Sequence, residues 1–230
     1  MRGSSVHRSL AACAIVAALL LAATRTRAGE IEIEFDLTGS SLSALGGLIN
    51  VPPDGAITSG TARIRVPGAG AMTASAGPAR LSDFALGLDV NADTGGAVVT
   101  GSAAMAQNGV ASGTFTGMFT HLALTKPFPM LATGSFPCSG AGCTALGSFP
   151  LTFNGAQTIA PPVNFTLGKI GTPGQATAKG TLLMKLGTHT AVLAVAGSEV
   201  SRTYLPEPGW PWHAALVVAS LLVFTRLRRS

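Results

Sequence analysis

The chain has 230 residues, of which 47% are hydrophobic and only 11% charged, and its formal net charge is +5. The positive charge lies in the terminal segments: residues 1–28 carry +4 and residues 206–230 carry +2, whereas residues 29–205 carry −1. We therefore expect no nucleic-acid partner, because neutralising phosphates requires clustered Lys and Arg.

The first 28 residues have the pattern of a secretory signal peptide. Arg2 and Arg8 surround a short polar start, an apolar stretch follows at Leu10–Ala23, and small residues allow cleavage between Ala28 and Gly29. The apolar stretch of about 14 residues is too short to span a ~30 Å hydrocarbon core comfortably. We predict that residues 1–28 are removed during export.

The segment 29–204 has the pattern of an antiparallel β domain. Between Glu30 and Leu37, apolar residues alternate with four acidic residues, which predicts a strand with one buried and one charged face. The acidic row could bind cations, but a charged outer face that discourages edge pairing is the favoured interpretation. Further β-type segments follow at residues 61–66, 84–90, 97–107, 110–124, 150–153, 156–159, 164–170, 176–186 and 190–200.

Turn residues between these segments determine the predicted architecture. Asn108-Gly109 and Asn154-Gly155 are the dipeptides preferred in tight hairpins, where both central residues need a positive φ. No stretch of the segment shows a helical stripe with caps. Eight to eleven strands joined in this way predict a mostly β domain, an antiparallel β-sandwich or a barrel-like closure of the same strands.

Two cysteines remain after the signal peptide is removed. Cys138 and Cys143 lie between two copies of Gly-Ser-Phe-Pro, at residues 134–137 and 147–150. An even pair in an exported chain predicts a disulfide that closes a hairpin tip. A metal or redox site is the alternative, although no histidine lies nearby in sequence.

The distribution of acids argues against an active site. No Asp or Glu occurs between Asp93 and Glu199, which excludes a pair of catalytic carboxylates in that half. His121 and His189 each lie in a predicted strand, and no Gly-x-Ser-x-Gly turn is present. We predict no enzymatic activity, no catalytic residues and no cofactor.

A weak candidate for a calcium site occurs at Asp89, Asn91 and Asp93. Their oxygens have the 1, 3, 5 spacing of a calcium loop, but Thr94 replaces the turn glycine and Thr100 replaces the bidentate Glu. A polar hairpin loop is the favoured interpretation.

The last 26 residues carry the most specific pattern. Pro206-Glu207-Pro208 precedes Trp210-Pro211-Trp212, an apolar run at Ala214–Phe224, and Arg226, Arg228 and Arg229. The run predicts a short transmembrane helix over residues 211–225, with interfacial tryptophans before it and a basic stop after it. Residues 205–230 closely resemble a PEP-CTERM sorting signal, whose three parts are Pro-Glu-Pro, an apolar helix and a basic tail.

This resemblance implies handling by the secretion machinery and by an exosortase-type membrane peptidase of a bacterium that makes exopolysaccharide. It implies an exported protein that is transiently anchored in the membrane, then delivered to the cell surface or extracellular matrix. For the β domain we expect a structural or adhesive role, with exopolysaccharide as a further partner. The alternatives are a secreted hydrolase that uses the N-terminal acids with His121 or His189, and a carbohydrate-, calcium- or ice-binding module.

Overall fold

A computed structural model describes residues 29–68, 74–116, 121–147, 149–159 and 163–205 of the chain. The described part consists almost entirely of β-strands that pair antiparallel with their neighbours. The strands are β1 (Glu30–Asp36), β2 (Ser41–Ala44), β3 (Ile49–Val51), β4 (Gly55–Pro67), β5 (Gly77–Asp93), β6 (Val98–Gln107), β7 (Ala111–Thr116), β8 (His121–Leu124), β9 (Phe128–Phe136), β10 (Cys138–Ser139), β11 (Leu151–Ile159), β12 (Val163–Gly168), β13 (Thr177–Leu186) and β14 (His189–Leu205).

Helical structure in the described residues is limited to two short pieces. A 3-10 turn covers Leu45–Gly47, and a single turn of α-helix, α1, covers Cys143–Leu146. No helix in this described part is long and apolar enough to cross a membrane. The predicted transmembrane helix at residues 211–225 lies outside the described residues.

The strands belong to one hydrogen-bonded sheet that closes a partial ring. The ring runs β5–β6–β9–β11–β13–β14–β1–β4 and back to β5, and its weakest link is the single β11–β13 pair, Phe153 with Leu186. β7, β8 and β12 form a second path from β5 to β13. The prediction of a mostly β, antiparallel domain is confirmed.

One continuous hydrophobic cluster lies inside the ring. Alternation within each strand sends every second side chain to this cluster, as in β1, where Ile31, Ile33 and Phe35 are fully buried. Aromatic side chains add directional contacts to this cluster. The rings of Phe84 in β5 and Phe128 in β9 meet edge to face, with 5.7 Å between their centroids. Glu30–Leu205 forms a compact unit that contains all the described strand pairings and this core.

Both predicted Asn-Gly hairpins are wrong. β6 pairs with residues 85–93 of β5 and β7 pairs with residues 77–81 on the same side of β5, so Asn108-Gly109 interrupts one continuous line of strand. Asn154-Gly155 lies within β11. Gly109 and Gly155 do have positive φ, but neither asparagine does, and a type I′ turn needs both.

The tight hairpin in this region is formed by Gly95-Gly96, between β5 and β6. Both glycines have positive φ, +63° and +88°, and Thr94 and Ala97 exchange backbone hydrogen bonds at 2.9 and 3.4 Å. This is the pattern of a two-residue type I′ turn. Gly-Gly is also a hairpin signal. Because β5 has 17 residues and pairs with both β6 and β7, the chain reverses at Gly95-Gly96, at the end of β5, and not at Asn108-Gly109.

Candidate functional site

The outer face of β1 forms a charged lattice with β4 and β5. The antiparallel register places Arg65 of β4 opposite Glu32 and Arg63 opposite Glu34. Members of the charged lattice are Glu30, Glu32, Glu34, Arg63, Arg65, Arg80 and Asp83. Three acids that could have bound cations are therefore engaged by three arginines of the same domain.

The contacts in the charged lattice differ in geometry. Arg80 Nη2 lies 2.5 Å from Glu30 Oε2, Arg65 Nε donates to Glu32, and Arg63 Nη2 lies 3.5 Å from Glu34 Oε1. The charged outer face is as predicted, but the expectation that it discourages pairing at a sheet edge is wrong. β1 is not an edge strand, because β4 and β14 pair along both of its sides.

The three residues of the calcium candidate lie in a strand, directly before the hairpin turn at Gly95-Gly96, and not in the predicted hairpin loop itself. Asp89, Asn91 and Asp93 occupy alternate exposed positions at the end of β5. Alternate residues on a strand are about 7 Å apart and point the same way, whereas a calcium loop curls its ligands around one point. In the described ranges, no three His, Cys, Asp or Glu residues are grouped closely enough to hold a metal ion.

The two histidines of the domain lie at different levels of the sheet. His121 begins β8 and aligns, through Thr166 of β12, with Lys179 of β13. His189 begins β14 opposite Leu186 of β13. Seven residues of β13 separate these two levels, or about 23 Å along the strand. A single pocket cannot contain both imidazoles.

His189 lies beside a shallow depression of about 390 Å³. Leu45 and Leu48 form one wall, Ala145 and Leu146 of α1 form the other, and Thr190 lies next to the histidine. Among the residues that the structure describes, no carboxylate lines this depression. Its lining provides one imidazole, one hydroxyl and apolar walls, without the acid that would orient a catalytic histidine.

Cys138 and Cys143 form the predicted disulfide, with a Cα–Cα distance of 5.9 Å. It closes the connection between β9 and β11, which pair from Phe136 and Leu151 onward. Cys138 also pairs with Val99 of β6. The disulfide therefore ties α1 to β10, which pairs with β6. The Gly142 N–H directly before α1 donates to the Gly96 carbonyl at 3.2 Å, so α1 lies close to the Gly95-Gly96 turn.

A buried ion pair at the end of β14 was not predicted from the sequence. Arg202 Nε and Nη2 donate to Glu199 Oε1 and Oε2 at 2.8 and 3.0 Å, and the two side chains are only 2% and 1% exposed. Arg202 Nη1 also donates to the Ile170 carbonyl at 2.7 Å, and the Ala176 N–H donates to Glu199 at 2.8 Å. The pair thus fixes the loop between β12 and β13.

A β-bulge brings this pair together. Glu199 is opposite Phe35 and Ser201 is opposite Glu34, so Val200 is an extra residue in β14. The bulge puts Glu199 and Arg202 on the same inner face as Phe35 and Ile33. Burial raises the pKa of the Glu199 carboxyl, but hydrogen bonds from Arg202 and the Ala176 backbone outweigh it and bring the pKa below its ordinary 4.5.

The opposite side of the ring carries little charge. β6, β9 and β11 contain no Asp, Glu, Lys or Arg at all. One line of outward residues crosses this side at right angles to the strands, and we name it the apolar row. Its members are Ala106, Leu131, Ala156, Leu183 and Val192.

The apolar row crosses a gap in the sheet. Past the single rung between Phe153 and Leu186, β11 and β13 separate, and the Gln157 side chain exchanges hydrogen bonds of 2.9 and 3.0 Å with the Lys185 backbone across the gap. The groove between the strands has a volume of about 540 Å³ and is lined by Ala156 and Leu183, among others.

The remaining predicted site residues lie outside the described residues. These are Ala28 of the cleavage site, Pro206, Glu207 and Pro208 of the sorting motif, and Arg226, Arg228 and Arg229 of the basic stop. Gly29 is described and precedes β1 directly.

A scan against protein-family models found no match, and searches of curated proteins and of solved structures found no significant similarity.

Proposed function

We propose that this is an exported β protein of the bacterial cell surface or extracellular matrix, processed by an exosortase-type membrane peptidase. The observation that carries the proposal is the order of Pro206-Glu207-Pro208, the apolar run and the three arginines at the C-terminus. An ordinary anchor would need the helix and the arginines but not the Pro-Glu-Pro directly before them. Exopolysaccharide is the partner that this kind of signal suggests.

The ends of the β domain support processing at both sides. Glu30, the first residue of β1, pairs with Leu205, the last residue of β14. Cleavage before Gly29 and cleavage after Leu205 would therefore leave every described rung of the sheet in place. The Cys138–Cys143 disulfide agrees with export, because such bonds persist in oxidising compartments.

A structural or adhesive role is supported by the arrangement of the ionisable groups. The three glutamates of β1 are paired with arginines, the two histidines lie about 23 Å apart along the sheet, and Glu199 is buried against Arg202. A secreted hydrolase would need a histidine and a carboxylate at one open pocket. We further propose that the partial ring is flattened into a β-sandwich, with the inward side chains of its strands packed in one continuous core.

The test is to replace Pro206-Glu207-Pro208 with three alanines in the whole chain, expressed in the producing bacterium. Two prolines around one residue keep that segment extended and out of both the last strand and the following helix. We expect the variant to accumulate at full length in the membrane fraction, while the wild type is released without its apolar tail. Replacing Pro161-Pro162 with two alanines is the control and should leave release unchanged. Release of the triple variant at the wild-type rate would contradict the proposal.

A further inference from the structure

The apolar row concentrates exposed aliphatic side chains that the core does not use. Leu131, Leu183 and Val192 are 44%, 61% and 37% exposed, and they point outward from β9, β13 and β14 of the ring. Extending the register of Phe153 and Leu186 places Ala156 beside Leu183, so the row continues across the groove. Contiguous exposed apolar surface of this kind marks an interaction site more often than isolated residues do.

The rows on either side of the apolar row are almost free of charge. One contains Ala104, Thr133, Asn154, Lys185 and Thr190, and the other contains Pro129, Thr158, Thr181 and Ala194. Lys185 is the only charged side chain in the three rows. A surface with one charged side chain can meet an identical surface with little repulsion, whereas the charged lattice would place many like charges near each other.

We propose that the apolar row and its two neighbouring rows bind the same surface of a second copy of this chain. Such an isologous contact makes a closed dimer, the commonest form of self-association. The inference depends on the β domain alone and not on the C-terminal sorting segment.

The size of the surface fits a second copy. Five strands about 4.8 Å apart and three rows about 7 Å apart cover roughly 24 by 20 Å. A contact of about 500 Å² on each copy buries on the order of 1,000 Å² in total, the lower end for a specific interface. We therefore expect a weak dimer that dissociates on dilution and depends strongly on Leu183, the most exposed large aliphatic side chain of the row.

The chemistry of the three rows favours a second copy over other occupants. A sugar ring is usually held against an aromatic side chain, and these rows contain none. A membrane surface that attracts proteins by charge requires clustered Lys and Arg, and here there is one lysine. The groove beside Leu183 adds a hollow that an aliphatic side chain of the second copy can enter.

The test compares lysine substitutions in residues 29–205, which contain the whole core and all the described strand pairings. Val192→Lys lies in the apolar row, and Val200→Lys lies eight residues further along the same strand, at a position 65% exposed. Leu183→Lys is a second substitution in the row. Sedimentation equilibrium up to about 100 µM covers the range expected for a contact of this size.

We expect the wild type and Val200→Lys to dimerise equally, and Leu183→Lys and Val192→Lys to dissociate with Kd values raised about 10- to 100-fold, since each would bury an unpaired charge. Thermal unfolding and circular dichroism must show that all variants are folded. A monomeric wild type, or equal weakening by Val200→Lys, would overturn the proposal. Retention of a monomeric wild type on neutral polysaccharide, lost in Leu183→Lys, would assign the surface to a glycan instead.

Discussion

The charged lattice and the apolar row are outer faces of one ring of strands, yet they hold opposite kinds of side chain. In the charged lattice, each of the three glutamates of β1 faces an arginine of β4 or β5. In the apolar row and its neighbours, small polar and aliphatic residues leave the face almost uncharged. The inner faces of both regions are mostly apolar, apart from the buried Glu199–Arg202 pair at the end of β14. The fold therefore depends on the inner residues, while the outer residues differ according to what each face contacts.

Among the described residues, the charged side should contain ion pairs of very different sensitivity. Arg202→Ala would leave the Glu199 carboxylate buried without its partner, and we expect a loss of about 3–5 kcal/mol in the free energy of unfolding. Arg63→Ala removes a partly exposed partner of Glu34, and we expect a loss of at most about 1 kcal/mol. Denaturant titration of both variants measures the difference. Similar losses for the two variants would show that burial does not distinguish the pairs.

The uncharged side should depend on small residues instead of charges. A Cβ at Gly134 of β9 would lie 2.4 Å from Ala103 Cβ and 2.8 Å from Ser102 O, so β6 and β9 would have to move apart. We expect Gly134→Ala to lower the free energy of unfolding by about 1–3 kcal/mol. Gly39→Ala is the control, because its Cβ would meet Ala196 O at an ordinary 3.6 Å. If the unfolding midpoint of Gly134→Ala equals that of the wild type, β6 and β9 can move apart without cost.

Acid should weaken the charged side through Glu199. A carboxyl whose pKa is lowered on folding stabilises the native state above its unfolded pKa, and this contribution is lost as pH falls below about 4.5 and through the folded pKa. The effect should be smaller than that of Arg202→Ala, since protonation removes the buried negative charge instead of leaving it unpaired. Urea midpoints at decreasing pH should fall more steeply for the wild type than for Glu199→Gln. Parallel slopes would assign the acid sensitivity to other groups.

The sequence predicted the features that depend on local alternation. Ile31, Ile33 and Phe35 are buried as expected, because a strand sends alternate side chains to one side whatever its neighbours are. The disulfide between Cys138 and Cys143 was predicted from spacing and compartment. The hairpin prediction at Asn108-Gly109 was wrong because β5 is long enough for β6 and β7 to pair with it one after the other. No local signal in the sequence reveals this arrangement.

The features of the candidate sites that were missed depend on pairing between distant strands. Glu199 and Arg202 are three residues apart, and in a regular strand they would lie on opposite faces. Only the bulge at Val200, set by the register with β1, turns them to the same side. The apolar row likewise joins residues from five strands, and their alignment follows from registers that cannot be read from the sequence.

The pairing of Glu30 with Leu205 has a mechanical consequence. A force applied to the chain beyond Leu205 acts first on the terminal backbone pair between β1 and β14. The following pairs of the two strands then bear the force one after another and not all together. Peeling that begins at Leu205 reaches Arg202 after three residues, where the Arg202 side chain also donates to the Ile170 carbonyl of the loop between β12 and β13. This contact therefore lies where a tethered domain would resist force with more than a backbone rung.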